Sequence, residues 1–166
     1  MTEVSINKSI NLSEHFTLGE VTKSRHAEVY NIPSHVAIEN LKRVCGWLEE
    51  LRFTYNTLYC LKPGEDYETS ENVEPIVINS GYRSLELNKK VGGSPTSNHL
   101  TGCAVDIRCA GIEQAIRYAA ILLDAADDRQ EDFDELLIER NRKSRYWVHF
   151  AVRAKDNRRK TLILEK

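Results

Sequence analysis

His99, Asp106 and His149 are the side chains of this sequence best placed to hold a metal ion. Read as a strand, Cys103-Ala104-Val105-Asp106-Ile107-Arg108 alternates between two faces. Cys103, Val105 and Ile107 then point to a core, and Asp106 stands with the small Ala104 on the opposite face. Trp147-Val148-His149-Phe150-Ala151-Val152 repeats the pattern, with His149 beside Ala151 on the non-core face. His99 precedes a Leu100-Thr101-Gly102 turn that can fold it back over that face. Two neutral imidazoles and one carboxylate suit Zn²⁺ and leave a fourth position open. A metal so held lowers the pKa of bound water to about 7 and polarises a carbonyl. Taken singly, a strand histidine is a half-buried hydrogen-bonding side chain and a strand aspartate an edge device. The matched pattern on two strands favours a shared metal.

The surrounding elements must position these residues. Thr17 and Glu20 have capping-box spacing at the start of a short helix. Ser34 caps a helix expected to run to about Arg52, with Ala37, Leu41, Val44, Leu48 and Leu51 on its buried face. Residues 61–74 read as a polar, acidic loop. A short β-branched strand spans 75–79, and a short helix follows, ended by Gly92-Gly93. A second helix is predicted from Gly111 to about Ala125, with Ile112, Ala115, Ile116, Ala119 and Leu123 on one face. Strands at 133–139 and 146–152 flank a basic loop, and 161–164 adds an edge strand. Helices mostly precede strands, which predicts an α+β fold with a small antiparallel sheet packed against helices. The chain reads as a single domain over 1–166, with about a dozen residues at each end peripheral.

Composition narrows the function classes. A chain of 166 residues can bury a sizeable core, and its 41% hydrophobic share excludes global disorder. The net charge of -2 gives no reason to expect nucleic acid. Basic clusters at 140–145 and 153–160 read as a solvated loop and tail. Cys45 and Cys103 read as small buried hydrophobes, and no CxxC pair offers a cysteine metal site. The opening MTEVSINKSINLSEHF has no apolar stretch of signal-peptide type, and no long apolar run follows. A cytoplasmic start, with reduced thiols and no membrane span, is the expectation.

The residues around the candidate ligands carry a resemblance. Ser97-Asn98-His99-Leu100-Thr101-Gly102-Cys103-Ala104-Val105-Asp106 resembles the SxHxxGxAxD signature of the zinc D-Ala-D-Ala carboxypeptidase family, which includes phage endolysins. Trp147-Val148-His149 is similar to that family's later WxH element. Ser80-Gly81-Tyr82-Arg83-Ser84 and the stretch from Asn88 to Gly93 resemble its SGYRS…N..VGG segment. His15-Phe16-Thr17-Leu18-Gly19-Glu20 is similar to the HFTLxE opening of a phage-rich branch. The resemblance implies a hedgehog/DD-peptidase-like fold and a zinc ion on His99, Asp106 and His149. It implies hydrolysis of peptide bonds in D-amino-acid-containing peptidoglycan stem peptides or cross-links. It also implies that Arg83 contacts a substrate carbonyl or carboxylate, with Ser97 and Trp147 as further substrate contacts.

One departure bears on catalysis. Many members place the catalytic acid three residues before the last histidine, where this chain has Tyr146. Glu139 is the nearest replacement. If Ile138 pairs with Val148, then Glu139 pairs with Trp147 on the face of His149, within reach as general base. Glu135 shares that parity but lies farther from the loop. A phage or prophage lysis enzyme is the expected setting. Two alternatives stay open: a zinc-containing module that binds cell-wall peptide without cleaving it, and a metal-free interaction domain. Oligomeric state and scissile bond are not legible.

Overall fold

The computed structural model describes residues 6–166. Residues 1–5, the start of the polar opening, lie outside the described residues. The first helix, α1 (Leu18–Thr22), carries both halves of the capping box: Thr17 accepts from the Glu20 amide, and Glu20 accepts from the Thr17 amide. Ser34 caps α2 (His35–Tyr59), whose Ala37, Leu41, Val44, Leu48 and Leu51 are buried.

The helix α2 continues seven residues past the expected end at Arg52. The extension Phe53-Thr54-Tyr55-Asn56 is poor in helix formers. Tertiary contacts hold it instead. Tyr55 packs edge-on against Tyr118, with ring centroids 4.8 Å apart. Asn56 is fully buried, donates to the Arg52 and Glu74 carbonyls, and accepts from the Glu74 amide. Helix α3 (Leu85–Lys90) is capped by Ser84 and ends before Gly92, at φ +73°.

Helix α4 (Ile112–Arg129) buries Ala115 and Ala119 as expected and packs Leu123 against the core, but its buried face is rotated away from Ile112 and Ile116. Ala115, Tyr118, Ala119, Leu122, Ala125 and Ala126 face inward, while Ile112 and Ile116 are exposed. Two apolar stripes compete on this helix. The alanine-rich one faces α2 and the sheet because small side chains let the elements approach closely.

Among the described residues, five strands form one open sheet in the order β1-β2-β4-β3-β5. They are β1 (Ile78–Ser80), β2 (Ala104–Arg108), β3 (Glu135–Arg140), β4 (Tyr146–Ala151) and β5 (Lys160–Glu165). The fold is α+β. Strands β1 to β4 pair antiparallel, and β5 pairs parallel to β3, so the sheet is mixed. Within residues 155–166, Lys160–Glu165 build β5, a largely exposed edge strand of the sheet.

Strand parity divides the sheet as the alternation requires. Val105, Ile107, Leu136, Ile138, Val148 and Phe150 join the core with α2 and α4. Each fully buried aliphatic side chain there contributes about 1.5–3 kcal/mol. Cys45 and Cys103 are buried free thiols. Among the described residues, no helix is long and apolar enough to cross a membrane.

Candidate metal centre

The sheet face away from the core carries the polar residues. Asp106 on β2 lies directly opposite His149 on β4. Glu139 on β3 lies opposite Trp147 on β4, in the Ile138–Val148 register. His99 arrives from a 3-10 turn, Asn98–Thr101, whose cap is the Ser97 hydroxyl accepting from the His99 amide. The turn closes at Gly102, which has φ +74°. A Cβ there would stand 2.5 Å from the Ala37 carbonyl oxygen at the start of α2. Glycine is thus required twice, for its backbone conformation and for close approach.

These elements bring His99, Asp106 and His149 together. Each offers a ligand atom, and the three atoms lie within 4.8 Å of one another. His149 Nδ1 is 3.0 Å from Asp106 Oδ1, and His99 Nε2 is 3.3 Å from Asp106 Oδ2. Two ligands on a tetrahedral zinc at usual bond lengths stand about 3.4 Å apart. His99 Nε2 is buried and makes no hydrogen bond. Its other nitrogen, Nδ1, donates to the Gly81 carbonyl at 2.6 Å, which leaves Nε2 as the ring nitrogen that faces the group. An orphaned buried nitrogen beside a carboxylate and a second imidazole is a donor set that fits zinc.

The outer contacts include one residue that sequence reasoning set aside. Glu135 accepts from His149 Nε2 at 3.0 Å, so its carboxylate orients the ring from the side away from Asp106. Its parity was visible in the sequence, but the reach of its side chain to His149 was not. Asn98 donates to both Glu135 and Asp134 and so links the His99 turn to β3. Asp134 is wholly buried and is gripped by Arg158 and Arg153. Arg159 lies over the Phe133 ring and pairs with Asp127 and Asp132. The basic cluster at 153–160 is therefore a structural clamp rather than a solvated tail.

Charge in the group follows from these contacts. Burial pulls His149 down, but the Asp106 and Glu135 carboxylates outweigh it and lift its pKa to about 9. Burial opposes ionisation of Asp106, yet the two histidines hold it far below the usual carboxylate range. The His149 hydrogen bond lowers Glu135 to about 2, against the opposing effect of burial.

A cleft of about 900 Å³ opens beside the group and is lined by Arg83, Asp106, Glu139, Tyr146 and Trp147 among others. Arg83 is held between Asn88, at 3.2 Å, and Asp106, at 3.8 Å. Burial pushes its pKa down, opposed by Asp106 and Glu139. Glu139 is buried, and each of its oxygens has a partner. Trp147 Nε1 donates to Oε2 at 2.5 Å, and Lys166 Nζ lies 2.6 Å from Oε1. Ser97 is not among the residues lining the cleft. Its hydroxyl accepts from the His99 amide and caps the turn that carries this candidate ligand.

The sequence pattern of the peptidase M15 family matches residues 65–151, just over half of the chain, including Arg83, His99, Asp106, Glu135, Glu139 and His149. The chain belongs to the peptidase M15 family. That family consists of zinc-dependent metallopeptidases, so the His-Asp-His group of this M15 chain has the donors its chemistry needs. No curated protein matches the chain.

Proposed function

We propose that this M15 chain hydrolyses peptide bonds in peptidoglycan stem peptides or cross-links, with zinc on His99, Asp106 and His149. The observation that carries this reading is the buried, unpartnered His99 Nε2 beside Asp106 and His149 at the edge of a peptide-sized cleft. Zinc bound there supplies a Lewis acid and an activated water. His99 is oriented by Gly81 and His149 by Glu135. Arg83 presents a fixed cation for a substrate carbonyl or carboxylate, and Trp147 offers an aromatic wall. Glu139 takes a proton onto its carboxylate and returns it to the leaving amine. An ionised carboxylate has about four acceptor sites, so its bonds to Trp147 and Lys166 leave room for that proton. The resemblance of residues 15–20 to a phage-rich branch supports a lysis role.

The test is mass spectrometry of purified peptidoglycan digested by zinc-reconstituted protein. Released peptides from the wild type, and loss of release in Glu139→Gln at unchanged zinc content, are expected. Full activity in zinc-loaded Glu139→Gln would remove Glu139 from the reaction. A second reading, a zinc-containing module that binds peptide without cleaving it, is favoured by the two partners already on Glu139. Binding without release would select it.

A further inference from the structure

The cleft is far more basic than the protein. The whole chain has a net charge of -2, yet six lysines and arginines line the cleft against two carboxylates, Asp106 and Glu139. Both carboxylates are engaged, Asp106 by the histidines and Arg83, Glu139 by Lys166. Four cations remain: Lys23 and Arg25 on the segment after α1, Arg108 at the end of β2, and Arg145 before β4. All four are exposed, and among the described residues none makes an ion pair. Arg108 is positioned by its neighbours, with Nε 3.4 Å from Asn79 Oδ1. It stands on the same sheet face as Asp106, two residues along β2, and opposite Trp147. A substrate with one terminal carboxylate needs only Arg83. Unpaired like charges facing one cleft cost repulsion unless an anion fills it, and they steer anions inward.

We infer that Arg108 and Arg145, with Lys23 and Arg25 of the segment after α1 lining the same cleft, form an anion subsite for a second carboxylate of the substrate, separate from the group bound at Arg83. The preferred substrate is then an acidic peptide carrying at least two carboxylates near the scissile bond. This inference rests on the peptidase reading but concerns which peptide is chosen. Planar guanidinium groups at 108 and 145 suit bidentate contact with a carboxylate, whereas the lysine adds charge without geometry.

The test uses two synthetic peptides identical except that one side-chain carboxylate is amidated. Both hydrolysis (kcat/KM) and equilibrium binding to the zinc-loaded protein are measured, at low salt and at about 0.5 M salt. The acidic peptide is expected to be favoured by about tenfold or more at low salt. The Arg108→Gln/Arg145→Gln variant should bring the acidic peptide down to the level of the amidated one. Salt should shrink the preference, since screening shortens to a few ångströms. Lys42→Gln/Lys62→Gln, a matched removal of two charges outside the cleft, should keep the wild-type ratio. Equal rates and equal affinities for the two peptides in the wild type would overturn the subsite while leaving the peptidase intact. If neither peptide is cleaved, the binding ratio still decides the subsite, and the loss falls on the peptidase reading. Displacement of both peptides alike by a short oligonucleotide, with no carboxylate preference, would also overturn it and mark a general polyanion surface.

Discussion

At the residue scale, the two histidines are held in unlike ways, and this makes them separable by experiment. His99 is fixed by one neutral carbonyl, and His149 by two carboxylates. Removing the orphaned nitrogen with His99→Ala should reduce zinc from one equivalent to near none by elemental analysis, with the fold retained by circular dichroism. Glu135→Gln keeps the shape but removes the charge behind His149. It should weaken zinc about 10–100-fold in a chelator competition. The pH dependence follows from the same contacts. With a pKa of about 9, His149 is protonated in the metal-free protein at neutral pH. Zinc must displace that proton, so apparent affinity should rise with pH up to about 9, and calorimetry in buffers of different ionisation heat should register proton release. Affinity that is flat between pH 6 and 9 would contradict the assignment of His149. Glu139→Gln, by contrast, should leave zinc in place and lower kcat by about 10²–10⁴-fold.

At the element scale, the short turn before β2 matters more than its length suggests. It delivers His99 and is pressed against the start of α2 at Gly102. Gly102→Ala adds a Cβ into the Ala37 carbonyl and strains a left-handed backbone. It should cost about 2 kcal/mol or more in urea unfolding, with a loss of zinc affinity in the fraction that folds. The cap on α1 is a milder case. Thr17→Ala should cost about 1 kcal/mol and leave zinc binding unchanged, because α1 supplies no ligand. Both capping residues were readable from sequence because a cap is a local device, completed within three residues. The last turns of α2 and the rotation of α4 that buries Tyr118 and Leu122 rather than Ile112 and Ile116 were not. Their residues are chosen by partners far along the chain, Glu74 for Asn56 and Tyr118 for Tyr55.

At the scale of the whole molecule, the C-terminal segment completes both sheet and site. Strand β5 aligns parallel to β3, and Lys166 beyond it reaches Glu139. Before it, Arg153 and Arg158 close over the buried Asp134. Burial opposes ionisation of Asp134, but Arg158 and Asn98 hold its pKa at about 2. A carboxylate depressed in the folded state adds stability above its unfolded pKa of about 4 and loses it as pH falls toward 2. Acid titration of the wild type should therefore show unfolding that steepens below about pH 4. Asp134→Ala should cost about 1–3 kcal/mol, because the buried acceptor of Asn98, Arg153 and Arg158 is lost. It should also flatten the acid limb.

Strand alternation and residue type were enough to put Asp106 and His149 on the non-core faces of their strands, because the two-residue period of a strand is a local rule. The pairing of Glu139 with Trp147 rested instead on an assumed Ile138–Val148 register, which the sheet adopts. The α+β class followed from the order of such local elements. Other features needed the folded chain: the return of His99 over that face, the carboxylate of Glu135 behind His149, the use of Ser97 as a cap, and the arginine clamp on Asp134. Each depends on contacts between residues distant in sequence. Those contacts are set by how sheet, turn and C-terminal segment pack, and local periodicity carries no record of that packing.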